Sequence, residues 1–103
     1  MPVGGQGDLR AWDAVLVRGT VRIGIEAETR LGDVQALVRR IELKCRDSGI
    51  ERVIIVAADT RANRAAVAAA AALLGPSFSV SPSAAWAALR EGRDPGGNAV
   101  LLV

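Results

Sequence analysis

The spacing of apolar positions along this chain switches between the alternation of a strand and the wider stripe of a helix, and each switch marks an element. Ala14–Val17 and Val21–Ala27 are β-rich runs separated by Arg18-Gly19-Thr20, which predicts a hairpin. From Val34 the stripe becomes helical. Val34, Leu37, Val38, Ile41 and Cys45 share one side, and Gln35, Arg39, Glu42 and Arg46 lie off it. Asp33 is placed to cap this helix and Gly49 to end it. Val53–Ala58 is a continuous apolar run, the pattern of a strand covered on both faces. Asp59-Thr60 offers the next cap, opening one Ala-rich helix that runs to Leu74 and stops at Gly75-Pro76. Phe78–Val80 is expected as a short strand. Ser81-Pro82 opens a helix through Arg90 with Trp86 and Leu89 facing in, and Ala99–Val103 is the final strand.

The order β-β-α-β-α-β-α-β predicts one α/β domain over residues 8–103, with a mixed sheet built from an initial hairpin and then alternating helices and strands. The Gly-rich start, residues 1–7, reads as a flexible leader. A length of 103 residues, half of them hydrophobic, suits a single modest core.

Composition narrows the chemistry. There is no histidine, which removes Ser-His-Asp and Cys-His catalysis and every His-containing zinc site. The one cysteine, Cys45, cannot form an intramolecular disulfide and is expected as a small core residue, compatible with a reducing cytoplasm. No apolar run approaches the ~20 residues that span a bilayer, and the N-terminus lacks the basic start and apolar stretch of a signal peptide. A cytoplasmic domain with no membrane partner is expected. The formal charge of +2 comes from 13 basic and 11 acidic residues that are interspersed, so charge by itself points only weakly to nucleic acid.

The chemical interest lies in I-G-I-E-A-E-T-R at residues 23–30. If Gly19-Thr20 is a two-residue turn, Leu16 pairs with Ile23 and Ala14 with Ile25, giving one apolar face, and Asp13 stands opposite Glu26. Asp13, Glu26 and Glu28 then gather at one end of the other face. Like charges so placed repel. A hard divalent cation would compensate them, as would Arg10, Arg22, Arg30 or Lys44, or solvent; the sequence leaves these open.

An acid on one strand, acid-x-acid on the next, then an amphipathic helix and a buried strand together resemble the restriction-endonuclease-like, or PD-(D/E)xK, core. The resemblance implies Asp13 and Glu26 as metal ligands, Glu28 at the position usually held by lysine, and Gln35 as an auxiliary residue near the site. Mg²⁺ would be the cofactor, and the three acids the catalytic set. A longer resemblance spans nearly the whole chain from Gly7. It is carried by G-D-L-R-A-W-D at 7–13, G-I-E-A-E-T-R at 24–30, D-V-Q-A-L at 33–37, A-D-T-R-A-N-R at 58–64 and G-R-D-P-G-G-N-A-V-L-L at 92–102. These phrases look like the C-terminal domain of actinobacterial helix-turn-helix regulators of the Xre type. The resemblance implies an accessory domain whose partners are DNA or a DNA-binding domain; the chain contains no helix-turn-helix segment, so it is a stand-alone relative or a fragment.

Other positions add less. Arg61 and Arg64, on the first turn after Asp59-Thr60, are candidates for a phosphate or nucleic-acid contact, because a helix N-terminus favours an anion. Residues 92–98 form a turn-rich connection rather than a phosphate-binding loop, since no helix follows their glycines. Trp12 and Trp86 are expected in the core, although tryptophan also stacks on bases. The helix from Val34 would support a homodimer through its outer face, but Arg39, Arg40, Glu42 and Arg46 there suggest solvent. Three functions remain: an accessory domain of DNA-binding regulators with a nuclease-like fold and a retained metal site, a Mg²⁺-dependent nuclease, and a structural or toxin-antitoxin-like partner domain.

Overall fold

The computed structural model describes residues 11–103; the expected leader at 1–7 and Arg10 lie outside the described residues. The chain orders as β1 (Ala14–Arg18), β2 (Val21–Glu28), α1 (Val34–Ser48), β3 (Arg52–Ala57), α2 (Arg61–Ala69), α3 (Ala71–Leu74), α4 (Pro82–Arg90) and β4 (Ala99–Leu102). The four strands form one sheet in sequential order, with β1 antiparallel to β2 and β2, β3 and β4 parallel. This is an α/β fold on a mixed sheet, as the alternating pattern implies.

The hairpin adopts the register set by its hydrophobic pattern. Ala14 pairs with Ile25, Leu16 with Ile23 and Arg18 with Val21. Of the two loop residues only Gly19 has positive φ, at 63°, which matches a II′ turn and the right-handed twist of the strands it joins.

Apolar residues cover both sheet faces. On one, Val53, Ile55 and Ala57 pack against Val34, Leu37, Val38 and Ile41 of α1, with Trp12, Leu31 and Leu74 joining the same core. On the other, Ile23, Ile54, Ala99 and Leu101 meet Ala85 of α4. β3 therefore alternates between two cores, which is why its sequence is apolar throughout.

Asp33 caps α1 by accepting the Ala36 N–H, and Gly49 closes it in the left-handed conformation, φ 77°. Three expectations are corrected. The Ala-rich helix is not continuous: Ala70, at φ −96° and ψ 10°, separates α2 from α3. Helix propensity alone would carry the segment through, but the turn brings Leu74 into the core. Phe78–Val80 is not a strand; a single bond from the Val80 N–H to the Asn98 carbonyl ties it to the sheet. Trp86 is 41% exposed, because Ala85 and Ala88 face the sheet and let α4 approach closely while Leu89 is only half-buried.

Candidate functional site

The acid corner is built where α1 runs back over β2. Trp12 lies buried across Gly24, so close that a Cβ there would stand 2.7 Å from two of its ring atoms. Its indole N–H donates to Ser48 Oγ at 3.1 Å, fixing the end of α1 above the strand. Ser48 in turn donates to the Lys44 carbonyl at 2.6 Å.

This placement lays two α1 cations over the two β2 acids. Lys44 Nζ is 2.6 Å from Glu26 Oε2, and Arg40 is 3.4 Å from Glu28 Oε1. The match has a geometric cause: one step of four residues along a helix rises ~6 Å, close to the ~6.6 Å between alternate residues of a strand. An antiparallel helix therefore pairs residues 40 and 44 with 28 and 26. Glu26 is buried, its side chain only 4% exposed, and its Oε1 has no hydrogen-bond partner among the described residues. The Lys44 ammonium also sits 5.6 Å from the centroid of the Trp12 ring, within cation–π range.

Asp13 behaves differently from its expected place opposite Glu26. The regular pairing ends at Ala14, and the Asp13 N–H donates to the Ile25 carbonyl instead of continuing the ladder to Glu26. Its exposed side chain accepts the Ala27 N–H through Oδ2 at 2.8 Å, so the carboxylate substitutes for a strand carbonyl. Among the described residues no group of three or more His, Cys, Asp or Glu side chains is arranged to hold a metal ion. As placed, the corner does not fit the Mg²⁺ donor set implied by the resemblance: one Glu26 oxygen meets an ammonium, and an Asp13 oxygen meets the backbone.

The remaining candidates lie on α1 and α2. Gln35 is exposed on the first turn of α1 and lines a groove with Ala66, Ala69 and Leu73 of the following helices. Arg61 is exposed at the start of α2, and the Arg64 guanidinium is 2.6 Å from Asp59 Oδ1. Thr60 caps α2 by accepting the Asn63 N–H. Cys45 is half-buried beside the core, and burial, reinforced by the charge of Glu42, pushes its thiol above the ordinary value. It is therefore a poor nucleophile at neutral pH.

Two important residues were not singled out by sequence reasoning. The charged face that Arg40 shares with Arg39, Glu42 and Arg46 suggests solvent, although the four-residue step from Arg40 to Lys44 against E-x-E is a usable signal. Asn63 is buried at 2% exposure and joins three backbone segments. Its Oδ1 accepts the Leu31 N–H, and its Nδ2 donates to the Thr29 and Ala58 carbonyls at 2.9 and 2.8 Å. No family model, curated protein or solved structure matches the chain.

Proposed function

We propose that the chain is an accessory interaction domain of DNA-binding transcriptional regulators, with a restriction-endonuclease-like core whose acid corner is neutralised by its own cations. The observation that carries this reading is the Glu26–Lys44 pair. A buried carboxylate 2.6 Å from an ammonium has already obtained the countercharge that a catalytic metal would supply. The order of hairpin, amphipathic helix and buried parallel strand supports the nuclease-like comparison. The phrases that resemble those of the helix-turn-helix regulators support the association with a DNA-binding domain.

The test compares operator affinity and oligomeric state of a helix-turn-helix regulator that carries this domain with those of the same regulator lacking it. A change in either is expected on removal; no change in both refutes the accessory role. Incubation of the chain with plasmid DNA and Mg²⁺ or Mn²⁺ tests the enzymatic alternative. Cleavage that is lost in Asp13→Asn would replace the accessory reading with that of a metal-dependent nuclease.

A further inference from the structure

Glu26 has one oxygen on Lys44 and another buried without a partner among the described residues, an arrangement that an ammonium satisfies only by half. Glu28 follows two residues later on the same strand face, with Arg40 at 3.4 Å. A divalent cation can take both oxygens of a carboxylate and is commonly held by one or two carboxylates plus waters. Lys44 prevents this from within. Its ammonium is placed at Glu26 by α1, and the Trp12 ring lies 5.6 Å away to stabilise the positive charge.

We propose that the Lys44 ammonium is a built-in substitute for a divalent cation at the Glu26 corner, keeping the native chain closed to metal, and that loss of this one charge opens the site. The ligand chemistry of the opened site is a hard, oxygen-preferring divalent cation held by Glu26 and Glu28. The inference does not depend on the association with a regulator. It fails on metal binding, whereas the accessory reading fails on operator binding and oligomeric state.

The experiment is a calorimetric titration with Mn²⁺ of the native chain, Lys44→Met and Lys44→Met/Glu26→Gln, with the melting temperature of each measured with and without Mn²⁺. The native chain is expected to show no saturable binding. Lys44→Met is expected to bind one ion with an affinity higher by about tenfold or more and to melt higher when Mn²⁺ is present. The double variant should do neither. Lys44→Gln, whose amide still donates a hydrogen bond to the carboxylate, carries the same expectation if Lys44→Met does not fold. Native binding as tight as that of the folded variant overturns the proposal, as does a folded variant that takes up no ion or a double variant that binds equally well.

Discussion

Replacing Asn63 with alanine should remove a junction between the loop that follows β2 and the end of β3. The side chain accepts one N–H, from Leu31, and donates to two carbonyls, of Thr29 and Ala58. It thereby clips the loop between β2 and α1 to the end of β3. Asn63 is 2% exposed and its bond to the Leu31 N–H is buried, whereas its bonds to the Thr29 and Ala58 carbonyls are part-buried. The buried Leu31 N–H deprived of its partner costs about 1–3 kcal/mol, and with the two part-buried carbonyls, which water reaches more easily, the total is about 2–4 kcal/mol. That is a large share of the roughly 5–15 kcal/mol that holds a domain together. With a urea slope of about 1–1.5 kcal/mol/M, the unfolding midpoint should fall by about 1–4 M. Urea titration followed by tryptophan fluorescence measures this, since Trp12 is buried at the opposite end of α1. Asn63→Asp should be no better, because it keeps the acceptor for Leu31 but turns carboxylate lone pairs toward two carbonyl oxygens. A midpoint loss below about 0.5 M in Asn63→Ala, with the slope unchanged, would refute the reasoning.

Gly24→Ala should destabilise the chain by about 1–3 kcal/mol, because a methyl group forces the Trp12 ring off the strand; chemical denaturation checks it, and native stability would contradict the close contact. In a double-mutant cycle, Lys44→Met alone should cost about 3–5 kcal/mol by leaving buried Glu26 without a countercharge, and Lys44→Met/Glu26→Met should recover much of that loss. The same cycle on Arg40 and Glu28, where Arg40 is half exposed, should yield only about 0–1 kcal/mol. Cys45 should alkylate with iodoacetamide more slowly than a free thiol, with its rate profile displaced to higher pH; a profile at or below that of the free thiol contradicts the burial. Because this thiol is raised in the folded state, its stabilising contribution is complete below the unfolded value and is lost as pH rises through the folded one, which comparison of native and Cys45→Ala unfolding at alkaline pH detects.

Residue pattern determined the parts of this protein that depend on local physics. Two-residue alternation around a Gly-led turn set the hairpin register, because any slip would have sent Leu16, Ile23 and Ile25 to the wrong face. The α1 stripe with its Asp33 cap and Gly49 terminus was equally legible, as was the apolar run of β3, which is buried on both sides. The three acids were visible too, but not their partners. Tertiary structure decided those. Only the antiparallel passage of α1 over β2, fixed by Trp12 resting on Gly24 and bonding Ser48, brings Lys44 to Glu26 and Arg40 to Glu28. The slip at Asp13 that turns its carboxylate to the Ala27 N–H was likewise hidden, since it follows from how the ladder ends rather than from its repeat. A charge pattern states which side chains need a countercharge, whereas which cation supplies it depends on contacts between residues far apart in the chain, and those exist only once the helix has packed on the sheet.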